Sequence, residues 1–183
     1  MKKLLIAGLA LALTAPVLFL NSCDKAAVVV NFDMGYGNVL FTVDTTSASG
    51  TMMLDQQTIT TNIDSFLNAN GVSKDDIKEI HIKSAHFALV SGMPNFDVLA
   101  TPGSAQGLIG PTGGTLSQFA SFDAIPAGAT EFDMTVDGSM DLASYLKSTT
   151  FDIAARGTTT GPVTAQTVIK GNFTFSVKAE VRK

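Results

Sequence analysis

Strict alternation dominates the last stretch of the chain. From Val163 to Val181 the odd positions are apolar or small, with Ile169, Phe173, Phe175 and Val177 the bulkiest. The even positions are polar, except Val168. A period of two marks a β-strand with one face in a core and one in water. Nineteen residues at ~3.3 Å each would reach roughly 60 Å, too far for one straight strand in a small domain. The pattern therefore predicts two strand segments sharing one inward face, with a bend or bulge at Gly171-Asn172.

Elsewhere the runs are shorter. Val28–Phe32 reads as a first strand broken by Gly35 and Gly37, and Asn38–Val43 as the next. Gly50–Ile59 follows a turn-rich Asp44–Gly50. Between Asn62 and Asn70 the period lengthens. Ile63, Phe66 and Leu67 share a helical face, Asn62 is placed to cap its start and Gly71 to close its end. Ser73-Lys74-Asp75-Asp76 reads as a second cap. Ile80 and Ile82 alternate in one phase and Phe87 and Leu89 in the other, so a bulge is predicted near Ser84-Ala85-His86. Phe96–Ala100 reads as a short strand. Thr101–Thr115 carries two prolines and many glycines without periodicity, which predicts a long surface loop. Leu116, Phe119, Phe122 and Ile125 suggest an irregular edge. Glu131–Val136 alternates, with Phe132, Met134 and Val136 inward. Asp141–Lys147 reads as a helical turn capped by Asp141, with Leu142, Tyr145 and Leu146 inward. Phe151, Ile153 and Ala155 make a strand, and Thr158–Pro162 the turn into the final ribbon. Eight or nine short strands predict a mainly β fold: an antiparallel β-sandwich, with a barrel as the alternative, one short helix near 62–70 and a helical turn near 141–147.

The N-terminus follows different rules. Lys2-Lys3 precede an apolar run from Leu4 to Leu20, and Leu20-Asn21-Ser22 lead to Cys23, the only cysteine. A basic start, an apolar run and a small residue before the cut make a secretory signal peptide. This stretch resembles a bacterial lipoprotein signal, whose lipobox places an aliphatic residue three before, and a small residue just before, a cysteine that is then lipidated. Leu20 and Ser22 match, and Asn21 is an unusual middle residue. The resemblance covers the first 23 residues. It implies a signal peptide at 1–22, a lipidated tether at 23–27 and a single domain at 28–183, held to the cell envelope by acyl chains at Cys23. The outer membrane is preferred over the inner, although Asp24 is an inner-membrane retention signal under enterobacterial rules.

Removing 22 of the 183 residues leaves 161, enough for one domain with its own core. With one cysteine there is no internal disulfide. Ten Lys and Arg then face sixteen Asp and Glu, a net charge of −6. That balance argues against nucleic acid as a partner and against electrostatic docking on anionic lipid. The second half of the chain looks similar to the β-sandwich domains of small secreted lipoproteins of Gram-negative bacteria.

The candidate chemistry is thin. His81 and His86 are the two histidines, and five residues of regular strand would point them to opposite faces. A metal site would need further ligands. Asp137-Gly138-Ser139-Met140-Asp141 offers three oxygen ligands without the closing glutamate of a calcium loop, so a turn followed by a helix cap is the expectation. Asp33, Asp44 and Asp55 each sit beside turns, where aspartate is favoured anyway. Gly113-Gly114 lacks the lysine of a phosphate cradle. Twelve Phe, seven Met and no Trp read as core rather than as a sugar platform.

No catalytic residue, metal ligand or cofactor is assigned. The expectation is a membrane-anchored, non-enzymatic binding or structural module with an envelope protein as partner. Its candidate binding loop is Thr101–Thr115, through Gln106, Leu108 and Ile109, because loops on a rigid scaffold carry recognition. Two other readings stand beside it: an assembly subunit exchanging strands through its long terminal ribbon, and a carrier of apolar ligands in a hollow, lipocalin-like barrel.

Overall fold

A computed structural model describes residues 27–99, 105–122 and 125–182. Cys23 and the signal segment lie outside the described residues. Nine strands follow in chain order: β1 Ala27–Val43, β2 Gly50–Thr60, β3 Ile77–Ser91, β4 Ala105–Pro111, β5 Ser117–Ser121, β6 Glu131–Asp133, β7 Thr135–Val136, β8 Thr150–Thr159 and β9 Thr167–Arg182. Helix α1 is Ile63–Asn70 and helix α2 is Ala143–Leu146. The strands form two antiparallel sheets, one ordered β1-β9-β3-β6 and the other β2-β8-β4-β5-β7. Hydrophobic faces of both sheets meet in one core, so the fold is a β-sandwich and not a closed barrel. Among the described residues no helix is long and apolar enough to cross a membrane.

β9 is the central strand of the first sheet. Its odd residues from Thr167 to Ala179 are all buried, as the alternation predicts. It is one continuous strand, and the expected bulge at Gly171-Asn172 sits in the neighbours instead. Opposite Asn172, β1 carries two residues, Gly37 and Asn38, where the register slips between Tyr36 and Val39. Asn38 takes a left-handed φ of 60°, and its backbone N–H donates to Asn172 Oδ1 at 3.0 Å. This bulge joins what reads in the sequence as two strands and inverts their phase. Met34 and Tyr36 point inward before it, Val39, Phe41 and Val43 after it. On the other side β3 slips between Ile82 and Ser84, at the predicted place, so Ile80 and Ile82 share the core with Ala85 and Phe87.

Gly171 has a packing reason. A Cβ there would lie 2.8 and 2.9 Å from Phe173 Cζ and Cε2, and 2.9 Å from Phe41 Cε2. The rings close over the glycine, and Phe173 stands edge-on to Phe41, Phe87 and Phe119 at centroid distances of 6.4, 5.6 and 5.9 Å.

Four sequence expectations are corrected. Val163–Gln166 precedes β9 and is not strand, although Val163 is buried. Of the expected strand Phe96–Ala100, Ala100 lies outside the described residues and the rest is not a strand but holds a 3₁₀ turn at Asp97–Leu99. Asn62 makes no side-chain cap bond at α1, while Gly71 closes the helix in the left-handed region as expected. Most consequential is Thr101–Thr115, predicted as a surface loop. Its Ala105–Pro111 portion is β4, hydrogen-bonded between β8 and β5 in the middle of its sheet. Four successive residues, Gly107 to Gly110, are buried, so no polar face remains to mark the strand. Its glycines answer close approach. A Cβ on Gly107 would meet Phe119 Cζ at 2.8 Å, and one on Gly110 the carbonyl oxygen of Thr115 at 2.4 Å.

The chain passes between sheets at Met134: Phe132 pairs with Phe87 in the first sheet and Val136 with Ala120 in the second. α1 seals one end with Ile63 and Leu67, and α2 packs Leu142 and Leu146 inward, both fully buried. A cavity between the sheets, lined by Phe41, Leu54, Phe87, Phe96, Leu99 and Ile169, holds only about 20 Å³, room for one water.

Candidate functional site

The β3 bulge has a consequence for the two histidines. Because one residue is added between them, His81 pairs with Ser176 and His86 with Asn172, both on the outer face of β9. They share a face, but four β9 residues separate them, about 13 Å. Each is tied to its own partners. His81 Nδ1 meets the carbonyl oxygen of Met140 at 2.9 Å, and its Nε2 faces Glu79 Oε2 at 3.4 Å. His86 Nδ1 meets Asp133 Oδ1 at 2.9 Å, and its Nε2 lies 3.8 Å from Glu131 Oε2.

Around His81 this face forms an open trough of about 460 Å³, lined by Asn31, Phe32, Asp33, Glu79, Ser176 and Lys178. Its charges are balanced in pairs. Lys178 Nζ reaches Glu79 Oε1 at 3.4 Å, and Asp33 binds Lys83. Ser176 Oγ donates to the backbone oxygen of His81, not to its ring, so no base faces this hydroxyl. The arrangement can present polar groups to a partner.

The other sequence candidates serve the backbone. Asp137 Oδ1 accepts from the N–H and hydroxyl of Ser139, bonds that hold its carboxyl below the usual carboxylate range. The N-cap of α2 is Leu142, without a side-chain cap bond, and not the expected Asp141. Asp141 Oδ1, one residue earlier, accepts from Ala143 N at 2.9 Å and Ile80 N at 3.1 Å and so clips the start of α2 to β3. Both aspartates of the Asp137–Asp141 stretch thus hold local backbone N–H groups in a turn that leads into α2. Asp55 takes the N–H of Thr42 at 2.8 Å, joining the two sheets, and Asp44 takes Gln166 Nε2 at 2.9 Å. Among the described residues no group of three or more His, Cys, Asp or Glu could hold a metal.

The candidate binding loop is not a loop at its named residues. Leu108 and Ile109 lie inside β4, 4% and 0% exposed, and Gln106 is half-buried between β5 and β8. Leu108 and Ile109 therefore point no side chain to the surface, whereas Gln106 keeps a partly exposed one.

One residue that sequence reading passed over is Asp152. It is 2% exposed on β8, facing away from the core. Thr58 Oγ1 donates to Oδ1 at 2.7 Å, while Gly113 N at 2.8 Å and Gln56 Nε2 at 2.9 Å donate to Oδ2. These bonds, led by Thr58 and Gly113, outweigh burial and hold its carboxyl below the usual range. Asp152 fastens the β4–β5 turn onto the sheet. The signal was a lone acid inside the apolar run Phe151–Ala155.

No known protein family matches the chain. No curated protein is similar to it. Among solved structures, a chain of Desmodium yellow mottle tymovirus aligns over 100% of this chain and 98% of its own length, at 10% identity and a TM-score of 0.26.

Proposed function

We propose that this chain is an envelope lipoprotein, anchored through lipid on Cys23, whose folded part is a non-enzymatic binding or structural module. The observation that carries the reading is positional. The only cysteine stands in a lipobox-like sequence, four residues before β1 begins at Ala27. A folded body would then start immediately after the anchor and ride close to the bilayer. Several acyl chains hold firmly where one holds weakly. The polar trough around His81, with its paired charges, is the face such a module would offer to an envelope protein.

Of the other two readings, the carrier needs a lumen, and among the described residues the cavity lined by Phe41, Phe87 and Phe96 between the sheets holds about 20 Å³. Strand exchange through the terminal ribbon would have to expel β9, which is paired along both edges. The test is Cys23→Ala in the producing cell. The expected outcome is loss of palmitate labelling and release from the membrane fraction. A variant still membrane-bound with unchanged labelling overturns the proposal.

A further inference from the structure

A sandwich has open edges, and an unpaired strand edge is a template for another strand. Here three of the four are guarded. β6 and β7 are three and two residues long. β2 is irregular between Met53 and Asp55 and carries the Asp55 charge near its middle. The C-terminal half of β1 is broken by the Gly37-Asn38 bulge, and its Thr42 N–H is taken by Asp55. The exception is Ala27–Tyr36. It is ten residues without a lysine, arginine, proline or bulge, and no strand pairs with its outer edge among the described residues. Its one charge, Asp33, is neutralised by Lys83.

We propose that this half of β1 is where two copies of the chain pair, edge to edge and antiparallel, merging two four-stranded sheets into one of eight. The exposed residues argue for an edge rather than a face. Val28 is 46% exposed and Val29 51%, yet Val28 pairs with Val181 toward the core side and Val29 with Glu180 on the outer side. A bilayer or a flat apolar partner would cover one of them. A neighbouring strand covers both.

Symmetry then limits the register. A two-fold axis normal to the sheet keeps core faces together, so paired residue numbers must sum to an even value. Centring on Val30 sets Val30 against Val30, and Val28 against Phe32, a β-branched and aromatic pair of the stabilising kind. It also sets Asp33 against Ala27, so the two acids stand far apart. The two Ala27 residues lie about six residues, roughly 20 Å, apart. Each is four residues from Cys23, a reach of ~13 Å. Both anchors can therefore enter one leaflet, where confinement raises the effective concentration of a small interface. The pairing itself does not depend on the anchor.

The experiment places a single thiol at the symmetry centre: Val30→Cys in the full chain carrying Cys23→Ala, concentrated and mildly oxidised. The control is Val90→Cys in the same background, at a site 57% exposed and remote from this edge. Cross-strand partners are within disulfide reach. The expected result is a linked dimer at least tenfold more abundant for Val30→Cys than for Val90→Cys. Adding Val29→Lys and Asn31→Lys, both on the outer side, should return it to the control level without shifting the melting temperature. Equal linking at both sites overturns the proposal, as does linking that ignores the lysines. Val28- and Val29-dependent binding to phosphatidylglycerol vesicles, without Val30 linking, assigns the surface to lipid and overturns it too.

Discussion

Two glycines on neighbouring strands should respond to alanine in opposite directions. Gly171→Ala places a methyl group 2.8–2.9 Å from Phe173 and Phe41 ring atoms, closer than carbon atoms pack. The rings have little room to yield, since Phe41 and Phe173 are 0% and 2% exposed and wedged against Phe87. Overpacking of this kind costs about 1–3 kcal/mol. Against it stands a gain of about 0.4–1 kcal/mol from a stiffer unfolded chain. The balance is a loss of about 1–2 kcal/mol, or roughly 2–8 °C in melting temperature for a domain of this size. Gly35→Ala is the comparison: a Cβ there meets nothing within 4 Å, so only the unfolded-state gain remains and stability should hold or rise. Urea titration followed by circular dichroism, with the slope checked for constancy, measures both. In a double variant, Phe41→Leu should remove part of the Gly171→Ala penalty, a coupling that independent sites do not show. If Gly171→Ala is as stable as Gly35→Ala, the argument from ring contact is wrong.

Other outcomes follow from the same structure. Ile109→Ala should cost about 2–5 kcal/mol, as a buried central-strand position, where a surface loop would lose within ±0.5 kcal/mol. Thermal melting separates the two. Asp152 has a lowered folded-state pKa, so its stabilisation is complete above the ordinary carboxylate range and is lost as pH falls through the lowered value. Asp152→Asn should therefore lower stability at neutral pH and flatten the acid limb of a stability–pH profile; an unchanged acid limb refutes the assignment. Replacing His81 or His86 with alanine should leave binding of any small-molecule substrate unchanged and lower the melting temperature only slightly, since each is partly exposed and its hydrogen bonds and ion pairs lie at the surface. A hydrolytic activity lost with either variant would contradict the non-enzymatic reading.

Alternation alone determined the mainly β fold, the inward face of β9 and the phase slip of β3, because a strand with one wet face writes its burial directly into the sequence. Helix α1 was legible through its change of period, and the short turn of α2 through its inward Leu142 and Leu146. Three things were settled only by the tertiary structure. β4 is buried on successive residues, so it shows no alternation, and its two glycines, Gly107 and Gly110, signal close approach as readily as a turn. The bulge expected at Gly171-Asn172 moved to β1, because β9 is held straight by partners on both edges while an edge strand can absorb the extra residue. The placement of both histidines on one outer face, and of Asp152 under the Gly113 turn, depends on which strands lie side by side. That is decided by long-range packing, and no local pattern encodes it.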